Sequence, residues 1–236
     1  LVTRFVVARE IFELFPEACF GVVVAENVDN RGESAEITNL LRAQALALAE
    51  ELGGTDVREH PHVKVWREAF HKLGLNPNKF PSSIEALAKR TAKKPELPTI
   101  NKVVDLVNAL SLKYLLPMGA HDMEVLPGDI EIRRARAGDV FIPFGATEPE
   151  PVEEGEVVYA TGNHIRTRKW VWRQGEKAKV VPESRTLFFP IDAFYGVTDK
   201  AARAARAELA ALLQEYCGAR TRELWVDKDT PGVELL

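Results

Sequence analysis

Cysteine, methionine, long apolar runs and positive net charge are all in short supply in this chain. Cys19 and Cys217 are the only cysteines in 236 residues. They can pair once at most and lack metal-ligand spacing, so a disulfide framework and a cysteine-based zinc site are excluded. Buried free thiols in a reducing compartment are expected. No apolar stretch approaches the roughly 20 residues that cross a bilayer, so no membrane partner is expected. The opening LVTRFVVAREIFELFPEACF is broken by Arg4, Arg9, Glu10, Glu13 and Pro16 and lacks the apolar core of a signal peptide. A cytoplasmic location is expected. The formal net charge is −4. A protein that wraps nucleic acid is usually basic, so DNA is not an expected partner, and any RNA contact needs a local basic patch. No G-x-G-x-x-G or G-x-x-x-x-G-K-[ST] occurs, so nucleotide-cofactor loops are absent and no cofactor is expected. His60-Pro61-His62 has no evident third ligand, and no metal is expected. Few glutamines, methionines and cysteines against many arginines and glutamates lean toward a heat-adapted source.

Hydrophobic residues make up 46% of the chain and charged residues 28%, the balance of an ordinary globular protein with a sizeable core. The β-branched run Cys19–Glu26 reads as a buried strand. Ser34–Leu52 carries Ile37, Leu40, Leu41, Leu48 and Leu52 at helical spacing and stops at Gly53-Gly54. Residues 62–73 repeat the pattern and end at Gly74. Ser82 and Glu85 fit a capping box at the next helix start. A further helix is expected over Thr99–Lys113. After Pro117 the pattern becomes strand-turn-strand, with strands expected at Met123–Leu126, Ile130–Arg134, Val140–Pro143, Val157–Ala160, Ile165–Arg173, Lys179–Val181 and Thr186–Ile191. The acidic run Glu148–Glu156 reads as a solvated loop. Thr198 opens an Ala-rich helix ending at Gly218, and Glu223–Val226 reads as a last strand. The expected fold is α+β, a compact multi-stranded β core, barrel- or sandwich-like, flanked by helices, with residues 1–236 forming a single domain.

Three groups of residues carry possible chemistry. On the helix Thr99–Lys113, Asn101, Asp105 and Asn108 share one stripe, either a ligand-holding row or a solvent face. The exit Leu116-Pro117-Met118-Gly119-Ala120-His121-Asp122 bends sharply, and Gly119 lets backbone approach a ligand. His121 beside Asp122 is either an oriented imidazole or a loop cap. In Lys169-Trp170-Val171-Trp172-Arg173-Gln174-Gly175-Glu176-Lys177 the two tryptophans share one face of an expected strand. That face either stacks on bases or buries at least one ring. Arg166, Arg168, Lys169, Arg173 and Lys177, with Lys179 and Arg185, concentrate positive charge there as a possible phosphate-contacting surface.

This order of parts, strongest over residues 61–192, resembles the B three/four editing module of the phenylalanyl-tRNA synthetase β subunit and its free-standing relatives. The resemblance implies a deacylase acting on the aminoacylated 3′ end of a tRNA, without metal or cofactor; a monomer is one option, since the sequence does not fix the oligomeric state. It implies catalytic roles for His121, Glu176 and Asn101. Asn108, Gly119, Asp122 and Thr186 would bind substrate, and Arg166, Arg168, Lys169, Arg173 and Lys177 would contact RNA. His121 is the expected general base, and backbone N–H groups around Gly119–His121 are the expected oxyanion donors. The module's histidine stands two positions earlier, where this chain has Gly119, and His121 falls where the synthetases carry an aromatic residue. This departure points away from tyrosine mischarged on phenylalanine tRNA. The alternative is a tRNA- or amino-acid-binding module without catalysis.

Overall fold

The computed structural model describes residues 2–236. The first half runs β1 (Arg4–Val7), α1 (Arg9–Leu14), β2 (Ala18–Glu26), α2 (Ala35–Leu52), α3 (Pro61–Lys72), α4 (Ser83–Lys93) and α5 (Lys102–Tyr114). Then come β3 (His121–Asp122), β4 (Ile130–Arg134), β5 (Val140–Phe141), β6 (Glu150–Pro151), β7 (Val157–Thr161), β8 (His164–Arg168) and β9 (Arg173–Gln174). The chain closes with β10 (Leu187–Phe194), α6 (Asp199–Cys217), β11 (Arg220–Val226) and β12 (Gly232–Glu234). The α+β expectation holds, and no helix among the described residues is long and apolar enough to cross a membrane.

The helix starts follow their caps. The Ser34 hydroxyl accepts from the Ile37 N–H, and α2 stops where Gly53 turns left-handed. The His60 ring caps α3 by accepting from the His62 N–H, and the His62 ring bonds the Tyr114 carbonyl. Both histidines of the His-Pro-His motif therefore have structural duties. Ser82 caps α4 as expected, but the capping box is half made. Glu85 turns inward instead, and its buried carboxylate pairs with Arg67 and Lys89.

Two sheets form. One has four strands in the order β11-β2-β10-β3, and the other runs β12-β1-β4-β7-β8-β5-β6 with β9 beside β8. The four-stranded sheet is covered on both faces, which explains the continuous apolar run of β2. Phe20, Val22 and Val24 join the main core with Phe5, Ile132, Tyr159 and Phe188. Val23 and Ala25 face the other way and pack with Val103, Leu106 and Leu110 of α5 and Leu209 and Leu213 of α6. Strand β10 alternates in the same sense, with Phe188 and Phe194 on one side and Leu187 and Phe189 on the other. Both cysteines are buried free thiols.

An aromatic cluster anchors the main core. Trp66 meets Trp170 edge-on at 5.1 Å between centroids and packs on Phe194 at 4.9 Å. Replacing a buried tryptophan with alanine typically costs about 3–5 kcal/mol. Trp66→Ala is expected to lower the unfolding free energy by about that amount in urea titration followed by circular dichroism. A loss below about 1 kcal/mol would place the core's anchor elsewhere.

Candidate functional site

Helix α5 begins three residues later than the sequence pattern indicates, at Lys102. The cause is Asn101, whose side-chain carbonyl accepts from the Val104 N–H at 3.0 Å and so caps the helix. Its amide donates to the Val180 carbonyl at 3.4 Å. Asn101 is thus a cap at the end of the row rather than a free member of a helix face. Asp105 is likewise engaged, accepting from the Ile100 N–H. Asn108 keeps its amide free of protein partners among the described residues and faces a cavity of about 430 Å³.

The bend after α5 runs along β10 as an edge. Gly119 N–H donates to the Pro190 carbonyl, Asp192 N–H to the Pro117 carbonyl, and Met123 N–H to the Thr186 carbonyl. Met118 pairs with Ile191, in register with His121 and Phe188. Residues 117, 119 and 123 therefore bond inward to β10, and the alternate backbone groups point off the sheet edge. Asp122 N–H meets the Ala178 carbonyl there, and the Ala120 carbonyl accepts from the Gln174 amide at 2.9 Å. The Ala120 N–H has no partner among the described residues. The expected oxyanion donors thus reduce from three to one: Gly119 and His121 face the β10 ladder, through Pro190 and Phe188, and the Ala120 N–H stays available.

Side chains alternate across this edge, and so do the cavities. The larger one lies on the α5 side, lined by Asn101, Asn108, Met118, Ala120, Lys179 and Val180, with Ile100 (64% exposed) and Phe144 (54% exposed) at its rim. The smaller, about 70 Å³, lies between the sheets and is lined by Gly119, His121, Tyr159, Trp170, Pro190 and Asp192 among others. Met118, Gly119 and Gln174 line both. Gly119 is needed at this seam, because a Cβ there would stand 3.1 Å from His121 Nε2 and 3.3 Å from Pro190 Cγ.

Several expected site residues lie elsewhere. No strand forms over Met123–Leu126, because the Asp122 carboxylate folds the chain into a turn by accepting from the Glu124 and Val125 N–H groups. Its other oxygen accepts from Ser184. Asp122 is buried structure and lines neither cavity. Thr186 donates to Glu124 and lines neither cavity. Glu176 also lies outside both linings. It pairs with Lys179 and accepts from the Gly145 N–H, bracing the rim of the larger cavity. Lys179 beside it holds its carboxyl below the usual range.

The expected long strand Ile165–Arg173 stops at Arg168, and β8 pairs with β9 through Arg168 and Arg173. The turn is therefore Lys169–Trp172, and Glu176 lies beyond β9. Lys169 and Trp170 both take left-handed backbone, φ 46° and 63°, so the two tryptophans do not share a strand face. Trp170 is fully buried, while Trp172 stays half-exposed against Phe80. Lys179–Val181 forms no strand. Arg166 is 1% exposed, and its guanidinium holds the Asp122 and Leu126 carbonyls and the Thr161 hydroxyl. Arg168 and Lys169 both pair with Glu156, the last residue of the acidic run, which turns inward rather than being solvated. Of the five expected RNA contacts, Arg173 and Lys177 remain exposed and unpaired among the described residues.

Sequence reasoning missed Asp192. It is 3% exposed, and its Oδ1 accepts from the Tyr159 hydroxyl at 2.6 Å and the Trp170 indole N–H at 3.0 Å. Oδ2 has no protein partner among the described residues. Burial pushes this carboxyl up to about 7. His121 is 2% exposed, its Nδ1 has no hydrogen-bond partner, and burial followed by the nearby Arg166 charge holds it well below the usual histidine range. The imidazole is therefore neutral, stacked beside Tyr159 at 5.9 Å.

These two groups oppose each other in pH dependence. Asp192 stays protonated in the folded chain up to about 7 but ionises near its ordinary 3.8 when unfolded. Its contribution to stability is full below about pH 4 and is lost as pH rises to about 7, with a slope of up to about 1.4 kcal/mol per pH unit. His121 acts in the other direction, since the unfolded chain takes up a proton below about pH 6.5 that the folded chain refuses. Urea unfolding across pH 4–7 is expected to show the stability difference between the native chain and Asp192→Asn declining as pH rises. A difference independent of pH would mean the Asp192 carboxyl is not shifted.

No curated protein sequence matches the chain. In structure, the chain is similar to an N-terminal fragment of the phenylalanyl-tRNA synthetase β-subunit from Pyrococcus horikoshii. The TM-score is 0.47 at 8% identity, covering 94% of this chain and 53% of that one. This chain therefore spans about half the length of that fragment. The B3/4 domain family matches residues 65–218. That match takes in more than half of the sequence and reaches from α3 to the end of α6, so the chain belongs to the B3/4 domain family.

Proposed function

We propose that the chain is a tRNA-editing deacylase, which hydrolyses the ester joining an amino acid to the terminal ribose of a mischarged tRNA. The observation that carries this reading is the seam at Ala120. Ala120, whose backbone N–H is unpaired, lines the larger of two unequal cavities next to Gly119, which lines both. An ester with one large and one small substituent fits such a divide. A cavity of about 430 Å³ lies within the size range of small-molecule sites and takes the terminal nucleoside. The free Asn108 amide and the Lys179 ammonium supply its polar contacts.

In the reaction, water adds to the acyl carbon and the carbonyl oxygen gains negative charge facing the Ala120 N–H. The ester C–O bond then breaks, and the ribose oxygen takes the proton that the water gives up. The products are the free amino acid and the tRNA hydroxyl. An aminoacyl ester is already activated, so placing the water correctly supplies much of the acceleration. The larger cavity offers no carboxylate or imidazole. The base is therefore the neutral His121 imidazole across the seam or the ribose hydroxyl beside the ester.

The burial of His121 specifically favours one competing reading, a module that binds aminoacyl-tRNA and does not cleave it. Deacylation assays with a panel of charged tRNAs separate the two. Hydrolysis above the spontaneous rate is expected, and Asn108→Ala is expected to lower kcat/KM by roughly tenfold, the loss of one polar contact. Binding without turnover on every charged tRNA would favour the binding module.

RNA contact is expected at Arg173 and Lys177. Each alanine substitution there should weaken tRNA binding and reduce the salt slope of the affinity by about 1. Arg166→Ala should instead lower the unfolding free energy, because it leaves two buried carbonyls without donors. A loss of tRNA affinity in a fully stable Arg166→Ala chain would reverse this assignment.

A further inference from the structure

The smaller cavity has a chemistry of its own. It lies on the face of the edge segment opposite the nucleoside-sized cavity, bounded by Gly119, His121, Pro190 and Asp192 on one side and Tyr159, Thr167 and Trp170 on the other. Its volume of about 70 Å³ admits a few water molecules or a group of similar bulk. A cavity that takes up benzene measures about 150 Å³, so an aromatic ring does not fit. Its floor is polar and incomplete. Asp192 presents an oxygen with no protein partner, while the other oxygen is fixed by Tyr159 and Trp170. That oxygen is not sealed in the core but opens on the cavity, so a donor from a ligand can reach it. No cation of the protein pairs with Asp192 among the described residues.

We infer that this cavity is the acyl pocket of the proposed deacylase, restricting it to tRNAs carrying small amino acids of glycine, alanine or serine size, with the acyl ammonium group donated to Asp192. The assignment rests on the deacylase reading. The carbonyl then sits at Ala120, the ribose goes to the α5 side, and the amino acid passes over Gly119. Burial alone disfavours the ionised Asp192 carboxylate, and an ammonium group placed beside it favours that form. His121 beside it is neutral, and the cation among the lining residues is Arg173, which forms no ion pair with Asp192. Gly119 sets the passage width, since a methyl there would crowd His121 and Pro190.

The test has two arms. In the first, the full chain is assayed on tRNAs charged with glycine, alanine, serine, phenylalanine and tyrosine. The three small acyl groups are expected to exceed the aromatic pair in kcat/KM by about 100-fold or more, because a single methylene that does not fit is already worth roughly 10–200-fold. Equal rates for alanine and tyrosine would overturn the acyl pocket and leave deacylation standing. In the second, the indole N–H resonance of Trp170, which donates to Asp192, reports on the cavity without any turnover. It is expected to shift when glycinamide is added and not when phenylalaninamide is added, and Asp192→Asn should abolish the response while circular dichroism stays native. No shift with glycinamide would overturn the ammonium site. A glycinamide shift with no hydrolysis of any charged tRNA would keep that site and overturn the deacylase.

Discussion

Everything at the site depends on how the edge of one sheet is finished. Strand β10 is eight residues long and fully buried, paired along its whole length with β2 on one side. On the other side its partner is the short, bent segment from Pro117 to Met123. A strand edge exposes alternate N–H and carbonyl groups, which folded proteins ordinarily cover. Here the cover comes from the end of β9 and the stretch after it. Gln174 reaches the Ala120 carbonyl, and the Ala178 carbonyl reaches the Asp122 N–H. The cover stops one group short, at the Ala120 N–H. Gly175 makes this stretch possible, because a Cβ there would lie 2.8 Å from the Phe141 ring. Gly175 and Glu176 bond to the Arg166 and Ile142 carbonyls, and these bonds fix where the cover ends.

The helices and the buried strands were legible because local signals agree with the tertiary outcome. The Ser82 half of the expected capping box, the Gly53 stop and the apolar run of β2 follow the local signals. The site was legible only in part. Asn108 and Gly119 border the larger cavity and His121 the smaller. Other readings failed where a side chain had two possible uses. Asn101 spends its carbonyl on a helix cap, which shortens α5. Arg166, Arg168 and Lys169 look in sequence like a phosphate-binding strip, but each finds a partner within the protein. Charge composition records how many cations exist, not which of them Glu156 neutralises. Asp192 was missed because FFPID reads as an ordinary buried strand. Its significance arises from Tyr159 and Trp170, 33 and 22 residues away in the chain.

Trp170 ties the site to the core in a way that neither reveals alone. It and Lys169 occupy left-handed backbone, which costs roughly 1–2 kcal/mol per residue for non-glycine side chains. The strain is offset by what the turn delivers. The Trp170 ring enters a cluster with Phe15, Phe20, Trp66 and Phe194, the residue's backbone N–H donates to the Val157 carbonyl, and the Lys169 N–H and ammonium both reach Glu156. Burying an aromatic ring of this size outweighs the backbone cost. The indole N–H that remains is then aimed at Asp192 by packing alone. The direction of the open Asp192 oxygen is therefore set by hydrophobic contacts several residues deep. A carboxylate held this way cannot swivel to find another donor. Such rigidity lets a small cavity discriminate, because a ligand must bring its donor to a fixed point rather than have the protein follow it.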